Sequence, residues 1–260
     1  MRVALFAPCF IDQLAPRAAI AALRVLERLG VEVTVAEQAA CCGQPLTNAG
    51  FVADGDAVLA RLAEALPSDG AVVVLSGSCA LHLRAHGAHA GARGARLAGR
   101  TVEFCAFLHD TVGRERLRAL GAEWRVRAAV HVGCHALRGL GLGVPSERRL
   151  DAIGAPDVVR AVLAEVRGLS LVTLARPDEC CGFGGSFSVD EPHVSVRMGS
   201  DRLRDMRGAG AQAIITTDLS CGLHLQGVGA AAGEALPVWH VAEVLAGMAD
   251  GSITATGAVA

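Results

Sequence analysis

The chain has 260 residues, enough for one large domain or for two domains that each bury a core. Hydrophobic residues make up 52% and charged residues 19% of it, which excludes global disorder. The net charge is −2 and aromatic residues are only 3%. This composition provides neither the positive charge nor the stacking platforms of a nucleic-acid-binding protein, so no nucleic-acid partner is expected.

The first residues predict a buried strand rather than a signal peptide, because the apolar run over 3–7 is short and Pro8 and Cys9 interrupt it. No stretch approaches the roughly 20 apolar residues of a membrane-spanning helix. We therefore expect a cytoplasmic protein with no direct membrane span. In that compartment the nine cysteines favour metal binding or catalysis over disulfide bonds.

Strands and helices alternate along the first half of the chain. Gly30 is the predicted stop of the first long helix. In chain order the predicted elements are a strand over 3–7, a helix over 17–29, a strand over 31–36, a helix over 57–66, a strand over 71–75, a short helix beginning at Cys79, an extended segment over 102–104 and a helix over 106–112.

The second half repeats this order, which indicates an internal repeat. Its predicted elements are a strand over 128–132, a helix over 158–166, a strand over 171–174, a helix over 194–206, a strand over 213–216, an extended segment over 238–240 and a helix over 242–245. The predicted fold class is α/β, with two similar Rossmann-like half-domains whose sheets are parallel. The charged segment 114–123 separates them, so the predicted domains are 1–120 and 121–260, called here the first and second halves.

Eight of the nine cysteines follow the predicted strands. Because the carboxyl ends of parallel strands meet at one edge of a sheet, we expect four thiols to gather in each half. Two adjacent pairs stand in Cys-Cys-Gly turns, 41–43 and 180–182. The predicted metal and cofactor ligands are Cys9, Cys41, Cys42 and Cys79 in the first half, and Cys134, Cys180, Cys181 and Cys221 in the second.

The donor set favours iron–sulfur clusters over zinc. Four thiolates suffice for either, but structural zinc sites use paired Cys-x₂₋₄-Cys knuckles rather than adjacent cysteines. Gly43 and Gly182 let the backbone approach a bulky cluster, and Gly184 and Gly185 extend that freedom. We expect up to two clusters per chain, of the [4Fe–4S] type.

The doubled pattern resembles the cysteine-rich domain family that includes the cysteine-rich component of heterodisulfide reductase, and in particular the lactate utilization protein A group. The resemblance covers nearly the whole chain and is carried by the segments 6–10, 41–45, 76–79, 134–135, 179–185 and 217–221. It implies an iron–sulfur subunit of an oxidoreductase that converts L-lactate to pyruvate. The implied partners are the other subunits of the lactate-oxidising complex and an electron acceptor.

The chain departs from the heterodisulfide reductase pattern at two positions. In those relatives each motif ends in Cys-x-x-Cys, whereas here Ser76 and Asp218 stand three residues before Cys79 and Cys221. This difference makes the unusual non-cubane cluster and the disulfide-cleaving chemistry of those relatives doubtful here. A thiol–disulfide reductase subunit and a non-enzymatic zinc protein remain the alternative functions.

Other residues receive structural interpretations. Cys105 is predicted to be a core residue whose counterpart in the repeat is Val241. His82 and His224 each follow the last cysteine of their half by one helical turn, which suggests a hydrogen bond to cluster sulfur or to a partner more than ligation. A capped or solvent-facing role is an equal alternative for both. His135 follows Cys134 directly, whereas Phe10 follows Cys9 at the matching position, so the two halves differ beside this cysteine.

Overall fold

Two four-stranded parallel sheets form the framework of the chain. In the computed structural model, which describes residues 1–36, 41–148 and 157–249, the strand orders are β2-β1-β3-β4 and β6-β5-β7-β8. The strands are β1 (Arg2–Phe6), β2 (Glu32–Val35), β3 (Ala71–Val74), β4 (Thr101–Glu103), β5 (Arg127–His131), β6 (Ser170–Leu171), β7 (Ala213–Thr216) and β8 (Val238–His240). The matching sheets confirm the predicted α/β class with two Rossmann-like halves. The domain boundary at 120/121 stays a prediction.

Helices connect the strands in both halves. The first half contains α1 (Cys9–Leu14), α2 (Pro16–Arg28), α3 (Gln44–Asn48), α4 (Val52–Ala65), α5 (Gly77–His86), α6 (Gly91–Arg100), α7 (Phe104–Ala106), which continues as the π-helical segment Phe107–Val112, and α8 (Arg114–Ala119). The second half contains α9 (Val158–Leu163), α10 (Phe187–Asp190), α11 (Pro192–Gly208), α12 (Leu219–Ala231) and α13 (Val241–Leu245). Among the residues described, no helix is long and apolar enough to cross a bilayer.

The central strands are apolar on both faces because each face packs into a different core. In β3, Val73 belongs to a core that both halves share, whereas Val72 and Val74 face a second core inside the first half. In β7, Ile215 faces the shared core and Ile214 faces a third core inside the second half. Burial on both faces is the normal state of a parallel strand between helical layers.

A helical segment of each half packs against a helix of the other half. α13 of the second half packs against α2 of the first, and the segment Phe107–Val112 of the first half packs against α9 of the second. Val25, Val162 and Leu245 are each at most 1% exposed in the resulting shared core. The halves are therefore joined by apolar packing and not by a flexible linker alone.

Two details differ from the sequence-based expectations. The strand expected over 171–174 pairs only as Ser170–Leu171, because β6 lies at the sheet edge and the chain leaves β5 soon after Val172 donates a hydrogen bond to Ala128 O at 2.9 Å. The proposed pairing of Cys105 with Val241 is also wrong by one position. Glu103 and His240 occupy matching registers at the strand ends, so the counterpart of Cys105 is Ala242. Cys105 itself is fully buried in the core, as predicted.

Candidate metal centres

In the first half, four cysteines reach the carboxyl edge of the sheet by three routes. Cys9 opens α1, which begins shortly after β1 ends. Cys41 and Cys42 stand immediately before Gly43 and α3. Cys79 lies in the first turn of α5, directly after β3. The parallel direction of the strands accounts for this common edge.

The second half places its four cysteines in the same way. Cys134 follows β5, Cys180 and Cys181 precede the turn at Gly182, and Cys221 lies in the first turn of α12 after β7. All nine cysteines of the chain are free thiols.

All eight predicted ligands line a single cavity of about 410 Å³. The structure therefore brings both cysteine sets to one space between the halves, which is closer than the sequence alone indicated. Phe10 of the first half and Phe183 of the second also line it, and their rings meet edge to face with centroids 5.3 Å apart. Ligation by these eight cysteines stays a prediction that the geometry supports.

The sulfurs within each half lie close enough to interact. Cys42 Sγ and Cys79 Sγ are 3.1 Å apart. Hydrogen bonds from the thiols of Cys42 and Cys9 lower the pKa of Cys41 to about 2. Hydrogen bonds from the thiols of Cys134 and Cys181 likewise lower the pKa of Cys180 to about 2.

The pKa values of the neighbouring thiols shift in the opposite direction. Hydrogen bonding to Cys41, followed by burial, raises the pKa of Cys9. In the second half the pKa of Cys134 is raised, mainly by hydrogen bonding to Cys180 and to a lesser extent by burial. Each half thus favours one thiolate and resists further negative charge, because crowded anions repel one another in a poorly solvated site. Four thiolates in one half require a cationic centre to neutralise them.

Two glycines shape the Cys-Cys-Gly turns. Gly43 has φ 94° and Gly182 has φ 89°, a left-handed conformation that other residues rarely adopt. Their N–H groups donate to Cys41 Sγ and Cys180 Sγ, each at 3.4 Å. A Cβ atom would lie 2.4 Å from Gly55 O at the first turn and 2.6 Å from Ser195 O at the second. Both turns therefore need glycine for conformation and for space.

Asp218 connects the two halves at the cavity wall. The carboxylate is 3% exposed and accepts hydrogen bonds from Ser76 Oγ at 3.1 Å and from Ser78 N at 2.9 Å, both in the first half. Its other oxygen accepts from Ser220 Oγ at 2.8 Å. The two positions at which the sequence departs from Cys-x-x-Cys are thus in direct contact with each other. This contact between Ser76 and Asp218 was not foreseen from the sequence.

The three histidines singled out in the sequence lie in different settings. Among the described residues that line the cavity, His135 is present, whereas His82 and His224 are not. The His82 ring stacks on His86 with centroids 4.6 Å apart, and burial lowers the pKa of His82 to about 4. His224 Nε2 lies 3.4 Å from Ser195 Oγ. The roles predicted for these histidines stay predictions.

A fourth histidine near the cysteines was missed. His131, the last residue of β5, is 1% exposed, and a ring nitrogen lies within 4.8 Å of the sulfurs of Cys181 and Cys221. Burial lowers the pKa of His131 to about 3, and the charge of Arg202 adds to the effect, so the ring is neutral. Its signal in the sequence is one polar residue in the otherwise apolar predicted strand over 128–132.

Comparison with known proteins identifies the family. The family model of the CCG cysteine-rich domain matches residues 3–84 and 128–226, which contain the four cysteines of each half. Lactate utilization protein A of Geobacillus kaustophilus (strain HTA426) is 35% identical over 251 residues, which cover 94% of this chain and 98% of that protein. The chain belongs to the lactate utilization protein A family.

Other family members match over the same length. Lactate utilization protein A 1 of Bacillus mycoides (strain KBAB4) is 32% identical over 252 residues, covering 94% of this chain and 96% of that protein. Lactate utilization protein A of Bacillus subtilis (strain 168) is 31% identical over 251 residues, covering 94% of this chain and 99% of that protein. These matches confirm the resemblance drawn from the cysteine motifs.

The residues of this family member fit a thiolate-ligated metal centre in each half. Four sulfurs gather per half, backbone N–H groups donate to Cys41, Cys180 and Cys181, and the turns leave no room for a Cβ atom. Soft thiolates suit zinc, copper(I) and iron–sulfur clusters. N–H···S hydrogen bonds stabilise negative charge on sulfur and tune the reduction potential of a redox centre.

Proposed function

We propose that the chain is an iron–sulfur electron-transfer subunit of a cytoplasmic complex that oxidises L-lactate to pyruvate. The supporting observation is the pair of matching cysteine sets on one cavity, in a chain whose relatives are named for lactate utilization. The proposed ligands of one [4Fe–4S] cluster are Cys9, Cys41, Cys42 and Cys79, and those of the other are Cys134, Cys180, Cys181 and Cys221.

Bound clusters of this type supply one-electron transfer. Oxidation of L-lactate to pyruvate releases two electrons and two protons, so two one-electron centres match the electron count. The hydroxy acid is oxidised on other subunits in this proposal, and the electrons leave to an acceptor. The two partners are therefore the remaining subunits of the lactate-oxidising complex and that acceptor.

The chain's own residues hold and shield the centres. The N–H groups of Gly43 and Gly182 donate to cysteine sulfur, which favours the thiolate form that binds metal. The rings of Phe10 and Phe183 add apolar surface to the cavity wall, where they meet edge to face. Exclusion of water strengthens every N–H···S interaction inside, because the local dielectric constant falls.

The test is anaerobic purification and reconstitution, followed by iron and sulfide assays and electron paramagnetic resonance. Two [4Fe–4S] clusters correspond to about eight irons per chain. The double variants C41S/C42S and C180S/C181S should each lose about half of that iron. Cys105→Ala, which removes a thiol from the core, is the matched control and should retain all of it. Zinc in place of iron, or no selective loss, would reject the proposal.

The same preparations separate the two alternative functions. A thiol–disulfide reductase reduces a disulfide substrate when supplied with a reduced dye, whereas an electron-transfer subunit does not. A colourless, redox-silent preparation that contains zinc indicates the non-enzymatic zinc protein.

A further inference from the structure

The two halves differ at one buried position beside their cysteines. Phe6 ends β1 and pairs with Val74, whereas His131 ends β5 and pairs with Thr216, so these two residues are counterparts in the repeat. Both side chains are at most 1% exposed. Phe6 packs in the same core as Cys42 and Cys79 and has no atom that can bind a metal. The first half therefore contains an internal control for the second.

The two ring nitrogens of His131 are buried polar atoms without a hydrogen-bond partner among the described residues. A buried polar group without a partner carries a free-energy cost that proteins usually avoid. One ring nitrogen and the sulfurs of Cys181 and Cys221 all lie within 4.8 Å of one another, which is close enough for the three atoms to share one metal ion.

Burial keeps the His131 ring neutral, which leaves a nitrogen able to bind metal, and the charge of Arg202 adds to the effect. Arg202 is fully buried nearby, and its guanidinium donates to Pro177 O at 3.0 Å and lies 3.6 Å from the Asp205 carboxylate. The charges of Cys180 and Asp218 act in the opposite direction on the pKa of His131. A neutral imidazole has a lone pair on one nitrogen, and that lone pair is what a metal accepts.

We propose that a ring nitrogen of His131 is a further ligand of the second metal centre, beside the four cysteines of that half. The first centre, with Phe6 at the matching position, has thiolates alone. The inference rests on the proposed function for the identity of the metal, iron. An imidazole nitrogen bound to iron changes the electronic environment of the centre, so the reduction potentials of the two centres should differ.

The test uses the reconstituted full-length chain labelled with ¹⁵N-histidine. Pulsed electron paramagnetic resonance of the reduced C41S/C42S variant isolates the second centre and should show the strong ¹⁵N coupling of a directly bound imidazole. His131→Phe in that background should remove the coupling and shift the midpoint potential of the centre. His135→Phe, which copies Phe10, is the matched control and should leave the coupling in place.

The possible outcomes separate this inference from the proposed function. Full iron content with no ¹⁵N coupling, or with a coupling as weak as that of a hydrogen-bonded ring, overturns the ligand assignment and leaves the iron–sulfur proposal intact. A coupling that survives His131→Phe overturns it as well. A chain without iron rejects the proposed function itself. If His131→Phe does not load with iron, a coupling in the C41S/C42S chain that survives His135→Phe supports the assignment, and the absence of any coupling overturns it.

Discussion

At the scale of single residues, the glycines of the Cys-Cys-Gly turns are the most constrained positions. The left-handed conformation costs a residue with a Cβ atom about 1–2 kcal/mol. Here the Cβ atom would also collide with a backbone oxygen at 2.4 Å in one turn and 2.6 Å in the other. Because each turn belongs to one half, a substitution there should damage one metal centre and spare the other.

We therefore predict that Gly43→Ala and Gly182→Ala each lose about half of the bound iron. Gly43→Ala should lose the first centre and Gly182→Ala the second, so their reduced spectra should match those of the corresponding double cysteine variants. Gly99→Ala is the control, because a Cβ atom there meets nothing within 4 Å. Equal iron in all three variants would contradict the prediction.

Glu103 is a second residue with a measurable consequence. It accepts hydrogen bonds from Cys105 N at 2.6 Å and Ala106 N at 3.1 Å, but complete burial raises its pKa from 4.5 to about 8. Between these two pH values the folded chain holds a proton that the unfolded chain has released. The free energy of unfolding therefore falls as pH rises through this window, by up to about 1.4 kcal/mol per pH unit.

Glu103→Gln should remove this pH dependence, because glutamine does not titrate. We expect the variant to gain stability relative to the unsubstituted chain as pH rises from 5 to 8, measured by urea unfolding of both proteins prepared alike. Glu64→Gln, at an exposed position of α4, is the control. Its free energy of unfolding should change with pH in parallel with that of the unsubstituted chain. Parallel curves for Glu103→Gln would show that the buried carboxyl does not retain its proton.

At the scale of helices and strands, the packing of a helical segment of each half against the other half determines how the chain is held together. α13 lies at the end of the second half but packs on α2 of the first. Its N-cap residue is His240, and His240 Nε2 lies 3.1 Å from the carbonyl oxygen of Leu75, the residue after β3. This is a second contact across the same junction. A substitution that weakens this junction in one half should therefore also destabilise the other half.

We predict that Leu245→Ala destabilises the chain by about 2–5 kcal/mol, because it leaves a cavity in the shared core. Leu245 is 1% exposed. Amide hydrogen exchange should accelerate in α2 as well as in α13, although the substitution lies in the other half. Leu14→Ala is the matched control, because Leu14 is 57% exposed. Unchanged protection of α2 would show that the halves open independently.

The same scale shows what could be predicted from the sequence. The repeated series of strands and helices and the common edge for the cysteines could be predicted, because parallel strands end at one edge and most strand residues are apolar on both faces. The short β6 could not be predicted, since Val172 and Leu174 are buried without belonging to a strand. His131 was overlooked because strand periodicity does not reveal which cysteines lie behind a given face.

At the scale of the whole molecule, the sequence does not predict that both cysteine sets line the same cavity. A repeat predicts two similar sites but not how the halves are oriented, and that orientation depends on the shared core and on the contact of Ser76 with Asp218. The Asp218 carboxylate accepts a hydrogen bond from Ser76 of the first half and another from Ser220, which lies in α12 of the second half. The result is one cavity of about 410 Å³ with eight cysteines around it.

This arrangement predicts that the two metal centres interact magnetically. Dipolar coupling falls with the cube of the distance, and all eight proposed ligands line the same cavity. When both centres are reduced, the electron paramagnetic resonance spectrum should be broader than the sum of the spectra of C41S/C42S and C180S/C181S, each of which retains one centre. Partial reduction should populate the centre of higher potential first, with narrow lines that broaden as the other centre is reduced. A fully reduced spectrum that equals the simple sum would mean that the two centres do not share the cavity.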